Sequence, residues 1–96
     1  MPAYAIFIRD SLRDQAEFDI YAPKAGASTA GHPVTPRAFY GAVETLEGLN
    51  VEGAVILEFP TMADARAWYD SPAYQDALKH RKAAGNYRVF LVEGVG

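Results

Sequence analysis

The chain has 96 residues, half of them apolar, and a formal net charge of −3, which indicates one globular domain over residues 1–96. It lacks cysteine, which excludes disulfide scaffolds and thiolate metal sites, and its scattered Lys and Arg residues form no basic stripe for nucleic acid. No segment approaches the roughly 20 apolar residues of a membrane span, and the N-terminus lacks a signal-peptide pattern, so we expect a soluble cytoplasmic protein.

The first part of the chain predicts a strand followed by a helix. Ala3–Arg9 is almost wholly apolar and predicts the first strand. Ser11, followed three residues later by Asp14, is typical of a helix start. The residues expected to form the apolar side of this helix are Leu12, Ala16, Ile20, Phe18 and Tyr21. Pro23 is then expected to break or kink the helix.

The middle of the chain predicts a loop and two strands. Gly26 and Gly31 bracket the loop, because glycines favour turns. The second strand is expected at about 37–44. The third, Gly53–Phe59, is almost continuously aliphatic and is expected to be buried.

The remaining residues predict a helix that starts twice and a final strand. The two start signatures are Thr61 with Asp64, and Ser71 with Pro72. The helix is expected to end at Ala84, where Gly85 and Asn86 supply left-handed residues. The last strand is expected over Tyr87–Glu93. The aromatic residues expected to pack from this helix onto the sheet are Trp68, Tyr69 and Tyr74.

The long strands are apolar on both faces. In the first strand one face carries Tyr4, Ile6 and Ile8, and the other carries Ala5 and Phe7. The predicted helices cover one face of a four-stranded sheet and leave the other bare. We therefore expect a second copy to pack sheet against sheet about a two-fold axis, with a ligand cavity between the sheets.

Several segments together carry a resemblance to a known family. They are LEG at 46–48, ILEFPT at 56–61, WYDSPAYQ at 68–75, Arg81, and LVEG at 91–94. With these motifs the chain resembles the family catalogued as domain of unknown function 1330 (DUF1330). The resemblance implies the ferredoxin-like fold of the dimeric α/β-barrel superfamily: an α+β sandwich of βαββαβ order with an antiparallel four-stranded sheet. That superfamily includes cofactor-independent monooxygenases, lactone isomerases and haem-degrading enzymes, whereas the DUF1330 family has no settled activity.

Three residues are candidates for proton transfer. His32 can act as a general base near neutral pH, or it is a solvated loop residue. Glu47 is a base, or it caps a turn or pairs with an arginine such as Arg81. Tyr21 has the same two interpretations, catalytic or packing. Neither histidine belongs to a metal-binding motif, so we expect no metal and no cofactor.

Four further residues are candidates for binding a ligand. Arg37, Tyr40 and Arg88 are polar groups on apolar strands, and they either bind a small anion or enolate-like oxygen or extend to water at the rim. Trp68 either stacks on a ligand or packs in the core.

Three functions are consistent with these residues. The leading hypothesis is a homodimer that binds a small organic molecule between its sheets. The first alternative is a cofactor-independent enzyme with monooxygenase-like or isomerase-like proton-transfer chemistry. The second is a ligand-free structural or stress-related dimer, in which the space between the sheets is filled by Phe7, Ile56 and Phe90.

Overall fold

The computed structural model describes residues 1–96, and its strands and helices follow one another in two similar halves. The elements are β1 (Ala3–Leu12), α1 (Gln15–Ala27), β2 (Thr35–Phe39), β3 (Gly53–Phe59), α2 (Met62–Tyr69), α3 (Pro72–Ala84) and β4 (Gly85–Glu93). The predicted third strand has the same bounds as β3, and the twice-started helix is the pair α2 and α3.

The four strands form one sheet in the order β2-β3-β1-β4. Each neighbouring pair is antiparallel. The connection through α1 passes over β3, and the connection through α2 and α3 passes over β1. This is the βαββαβ arrangement of the ferredoxin-like fold, so the predicted α+β fold class is confirmed.

Alternate residues of the two central strands face the helices and form the core. These buried residues are Ala3, Ala5 and Phe7 of β1, and Val55, Leu57 and Phe59 of β3. The Trp68 ring lies 6.1 Å from the Phe7 ring and 5.6 Å from the Phe59 ring, centroid to centroid. Tyr74 contacts both Phe7 and Trp68. The predicted packing of the helical aromatics onto the sheet is therefore confirmed.

The opposite side of the sheet, which we call the open face, carries no helix. The molecule measures 33 × 32 × 17 Å, and 17 Å is the thickness of one sheet with one helical layer. Ile6 lies in register between Ile56 and Phe90 on this face. Phe90 and Val92 are 48% and 44% exposed. Phe7, predicted to help fill a space between two sheets, points towards the helices instead, because it is one residue out of phase with Ile6.

The start of α1 differs from the prediction. β1 continues to Leu12 because β4 is long enough to pair with it there, and Asp14, not Ser11, accepts the capping hydrogen bond from the first turn. The predicted apolar stripe is consequently wrong in part, since Leu12 lies in a strand while Ala16 and Ile20 are exposed. The residues of α1 that face the protein interior are Phe18, Tyr21, Ala22 and Ala25.

The end of α1 also differs. Pro23 lies inside the helix, which continues through Gly26 to Ala27. A proline has no N–H to donate, so the carbonyl of Asp19, one turn earlier, receives no helical hydrogen bond from this position.

The second strand is shorter than predicted. β2 spans Thr35–Phe39 rather than 37–44, with a register shift between Pro36 and Ala38. Tyr40 has a φ of 52°, in the left-handed region, which takes the chain out of the extended conformation. Its N–H still donates to the Ala54 carbonyl at 2.9 Å, so the residue remains attached to β3.

The two predicted helix starts are confirmed. The Thr61 hydroxyl accepts from the Asp64 N–H at 3.1 Å, and the Ser71 hydroxyl accepts from the Tyr74 N–H at 3.3 Å.

The predicted left-handed helix end is wrong. Gly85 is fully extended, with φ −174°, and begins β4 directly. A glycine is required there for a different reason, because a Cβ at Gly85 would collide with the Ser11 carbonyl oxygen.

Candidate functional site

A cavity of about 260 Å³ lies between α1 and the helical side of the sheet. It is lined by 14 residues, 11 of them hydrophobic. The lining residues are Phe7, Phe18, Tyr21, Ala22, Ala25, Gly26, Thr29, Val34, Pro36, Phe39, Tyr40, Val55, Leu57 and Trp68. No acidic, basic or histidine side chain lines it.

The cavity exists because α1 stands away from the sheet. The helix packs along α3 and approaches the strands closely at few points. Its residues above the gap are small, namely Ala22, Ala25 and Gly26. The cavity opens towards the β2 edge, where Phe39 is 63% exposed.

The inner wall is held by hydrogen bonds between buried side chains. The hydroxyl oxygens of Tyr21 and Tyr74 lie 3.0 Å apart. The Trp68 indole N–H donates to Ser28 Oγ at 3.1 Å, and that hydroxyl donates to the Ala25 carbonyl at 2.6 Å. These bonds satisfy polar groups that burial would otherwise leave unpaired, and they fix the orientation of the Trp68 ring.

A second tyrosine pair borders the cavity. The hydroxyl oxygens of Tyr40 and Tyr87 lie 2.8 Å apart. The Tyr40 ring lies over Gly53, where a Cβ would come within 2.9 Å of it. The Arg9 guanidinium stacks 5.0 Å from the Tyr40 ring centroid, and its Nε lies 2.8 Å from Glu52 Oε1, although the N–H is not aligned for a hydrogen bond. These contacts hold Tyr40 in its strained left-handed backbone conformation.

The hydroxyls at this site stay protonated. Burial raises the pKa of Tyr21 and of Tyr40 far above the ordinary tyrosine value, and each hydroxyl's tyrosine partner raises it further. Burial also raises the pKa of Tyr74, against the opposing effect of the nearby Arg81 charge. These groups can donate and accept hydrogen bonds, but they do not supply a tyrosinate base near neutral pH.

Arg81 is a buried cation without an acidic partner. The residue is 5% exposed, and its Nε donates to no acceptor. Its guanidinium lies 5.6 Å from the Phe7 ring centroid and 5.1 Å from that of Tyr87. The ion pairs of the protein all involve other cations. Buried charges are usually paired, which makes this arrangement unusual.

The structure brings three of the candidate residues together and separates the rest. Tyr21, Tyr40 and Trp68 all line the cavity. His32 lies outside it, in a shallow cleft beside Pro33 and Pro60.

Both candidate strand arginines are paired outside the cavity. Arg37 Nε donates to Glu58 Oε1 at 2.9 Å. Arg88 makes two hydrogen bonds to the Asp10 carboxylate, at 3.0 and 2.9 Å. Glu47 is exposed and makes no ion pair, so the considered pairing with Arg81 is not formed.

Sequence reasoning considered Arg81 only as a possible partner of Glu47 and overlooked its burial. The signal was its position on α3, because Tyr74, Ala77, Leu78 and Arg81 follow the spacing of one buried helix face and all are buried. A charged residue on such a stripe is a candidate functional group.

The structure contains neither a cluster of metal ligands nor a helix that could span a membrane. No three His, Cys, Asp or Glu side chains gather as metal ligands would. None of the helices has the length and hydropathy to cross a bilayer.

Comparison with known families identifies the chain. The family model described as domain of unknown function (DUF1330) matches residues 2–95. The chain belongs to the DUF1330 family. The resemblance seen in its motifs is therefore confirmed. No curated protein matches this DUF1330 chain.

Solved structures with the same fold include three useful neighbours of this DUF1330 chain. Methylated RPA0582, from Rhodopseudomonas palustris, is 20% identical with a TM-score of 0.78, over 99% of this chain and 82% of that one. A dimeric ferredoxin-like protein of unknown function from Jannaschia sp. CCS1 is 15% identical with a TM-score of 0.72, over 98% and 100%. SnoaB, a cofactor-independent oxygenase from Streptomyces nogalater, is 13% identical with a TM-score of 0.63, over 99% and 93%. These likenesses establish the ferredoxin-like fold.

Proposed function

We propose that this DUF1330 protein binds a small, largely apolar organic molecule in the cavity beneath α1. The observation that carries the proposal is an apolar volume of about 260 Å³ that the surrounding side chains leave unfilled. An engineered apolar cavity of about 150 Å³ accommodates benzene, so this one suits a molecule of one or two rings.

Energetics support a binding role for the cavity. Unfilled core volume costs about 24 cal/mol per Å³, or roughly 6 kcal/mol for an enclosed cavity of this size. That figure is an upper bound, because the opening at the β2 edge lowers the cost; it is to be set against a total stability of about 5–15 kcal/mol. Larger side chains in place of Ala22 and Ala25 would fill the cavity and so remove this cost. A space retained at this cost is best explained by an occupant.

This cavity does not lie where the sequence predicts a ligand site, which is between the sheets of two subunits. The inter-sheet site assumes a second copy and stays a prediction, whereas the cavity beneath α1 is formed within one subunit. We therefore assign the ligand to that cavity, with Tyr21, Tyr40 and Trp68 in its wall.

Binding is favoured over catalysis by the chemistry of the wall. Proton transfer needs a group whose pKa lies near the working pH. The lining includes no histidine or carboxylate, and burial raises the pKa of Tyr21 and Tyr40. His32 and Glu47, the other catalytic candidates, lie elsewhere. The cofactor-independent enzyme is thus the second hypothesis, and a ligand-free dimer is the third because it leaves the cavity unexplained.

The homodimer is also part of the proposal. The open face carries a row of apolar side chains in which Ile6 and Ile56 are half-buried and Phe90 is exposed, and contact of such a surface with water is unfavourable. Neighbouring structures of the same fold are described as dimeric. The open faces of two copies provide the matching surfaces of a two-fold dimer. The cytoplasmic location expected from the sequence is likewise a proposal.

Trp68 is the only tryptophan and lines the cavity, so its fluorescence tests the binding proposal directly. We expect propylbenzene to change Trp68 emission saturably. Ala25→Leu fills the cavity and should weaken binding at least tenfold, whereas Ala27→Leu, on an exposed position of the same helix, should not. A wild-type protein that shows neither an emission change nor a calorimetric binding signal contradicts the proposal.

A further inference from the structure

Arg81 is the one charged residue of the fold that is buried, and it has no acidic partner. Arg9, the other cation packed among these aromatic rings, lies 2.8 Å from the Glu52 carboxylate. Arg81 is more deeply buried: its guanidinium packs against the Phe7 and Tyr87 rings, and it also borders a polar cleft whose lining includes Arg13, Lys82 and Asn86 but no acidic residue. The Phe7 ring it contacts is also part of the cavity wall. Its field therefore reaches a low-dielectric space that contains no compensating anion from the protein.

The Tyr21–Tyr74 pair determines where the nearest free hydroxyl proton lies. Two hydroxyls that share one hydrogen bond leave one proton without an acceptor. Tyr74 is fully buried, does not line the cavity, and has no acceptor other than Tyr21. If Tyr21 donated, the Tyr74 proton would be buried and unpaired, which is costly. The distance alone allows either hydroxyl to donate, but only the arrangement in which Tyr74 donates to Tyr21 avoids a buried unpaired proton, and it frees the proton of Tyr21, a residue of the cavity wall.

The charge of Arg81 reinforces this direction. The guanidinium lies close enough to Tyr74 to oppose the effect of burial on its pKa. Because a guanidinium only donates hydrogen bonds, a cation beside the Tyr74 oxygen favours turning that hydroxyl's proton away, towards Tyr21. Arg81 and Tyr74 thus orient Tyr21 as a donor to whatever occupies the cavity.

We propose that the ligand of this cavity carries an anionic oxygen, a carboxylate or a ring phenolate, which accepts a hydrogen bond from Tyr21 and lies within the field of Arg81. This inference rests on the proposed binding function and specifies the chemical class of the ligand: an apolar body of one or two rings with one negative oxygen. No carboxylate lines the cavity to repel it.

Three matched probes test the inference: 3-phenylpropionate, its neutral analogue 3-phenylpropionamide, and propylbenzene, each titrated against Trp68 emission. The wild-type protein should bind the carboxylate about tenfold more tightly than the amide. Arg81→Met should remove most of that preference, whereas Lys82→Met, which removes an exposed neighbouring charge, should preserve it. Tyr21→Phe should weaken both oxygen-bearing probes and leave propylbenzene unchanged.

Failure of the inference is distinguishable from failure of the proposed function. If propylbenzene binds and wild-type protein shows no preference for the carboxylate, the ligand class is wrong while the cavity remains a binding site. If the preference persists in Arg81→Met, or is lost in Lys82→Met, Arg81 is not its source. If none of the three probes binds, the proposed function and the inference are both wrong.

Discussion

The hydroxyl groups of Tyr40 and Tyr87 meet at 2.8 Å although the two residues come from opposite edges of the sheet. With strands about 4.8 Å apart, the edge strands β2 and β4 are separated by roughly 14 Å. Each ring therefore reaches over a central strand, and Tyr40 does so above Gly53. The pair connects the segment after β2 to β4 and closes one side of the cavity beneath α1.

The Tyr40–Tyr87 pair should contribute to stability through its shared hydrogen bond. Tyr40→Phe and Tyr87→Phe should each lower the free energy of unfolding by about 1 kcal/mol. The double variant should cost less than the sum, because the second hydroxyl has already lost its partner. Chemical denaturation measures all three. Tyr69→Phe, whose hydroxyl makes no hydrogen bond within the protein, is the control; additive losses would show that the two hydroxyls act independently.

Replacing Arg81 should not destabilise the protein. An unpaired buried cation costs several kcal/mol of desolvation, more than its contacts with Phe7 and Tyr87 return at about 1–2 kcal/mol each. We expect Arg81→Met to have a free energy of unfolding equal to the wild type or up to about 2 kcal/mol higher. Arg66→Met, which breaks an exposed pair with Asp70, should change it by less than about 1 kcal/mol. A loss of more than 2 kcal/mol at Arg81 would show that the charge is compensated in the fold.

Alkaline pH should unfold the protein through its buried tyrosines. Burial raises the pKa of Tyr21, Tyr40 and Tyr74 above the ordinary value of 10.0. The native state therefore keeps protons that the unfolded state releases. Their contribution is fully present below pH 10 and is lost above it, by up to about 1.4 kcal/mol per pH unit for each tyrosine.

A pH titration followed by tyrosinate absorbance and by circular dichroism tests the prediction of alkaline unfolding. We expect part of the absorbance change to coincide with loss of structure, and that part to be smaller in Tyr21→Phe. Ionisation of all six tyrosines near pH 10 with structure retained would contradict it.

A charge on the open face should dissociate the proposed homodimer. Phe90→Glu introduces a carboxylate opposite Ile6, and burying it between two sheets is unfavourable. We expect sedimentation to show a folded monomer, with a dissociation constant raised at least about 100-fold. Leu49→Glu, an equivalent change at a residue that is 80% exposed outside the sheet, should remain dimeric. If the wild-type protein is a monomer, or if the Phe90→Glu variant is still a dimer, the open face is not a dimer interface.

Much of the fold follows from local patterns. Alternation in β1 and β3 predicts both faces of the sheet, and the caps at Thr61 and Ser71 depend on residues three positions away. The prediction that Leu12 belongs to a helix is wrong because of a contact with a residue distant in sequence. The spacing of Leu12 fits a helix, but pairing with β4 extends the strand through it.

The candidate site was less predictable because it depends on distances between elements. Tyr21, Tyr40 and Trp68 were identified as candidates, but only the structure places them in one wall. The left-handed conformation of Tyr40 depends on Gly53 and Tyr87, which are distant in sequence. The spacing of Arg81 on α3 indicates burial, yet the lack of an acidic partner appears only when every neighbour is known.

The proline within α1 lies where the roof of the cavity begins. Pro23 leaves the Asp19 carbonyl without a helical partner, so the turns on either side are joined by one bond fewer. Ala25 and Gly26, which form the roof of the cavity, follow directly after this missing hydrogen bond. The hydrogen bond from the Trp68 indole N–H to Ser28 Oγ anchors this last stretch of α1 to the wall below it, which leaves the β2 edge, and not the roof, as the open side of the cavity.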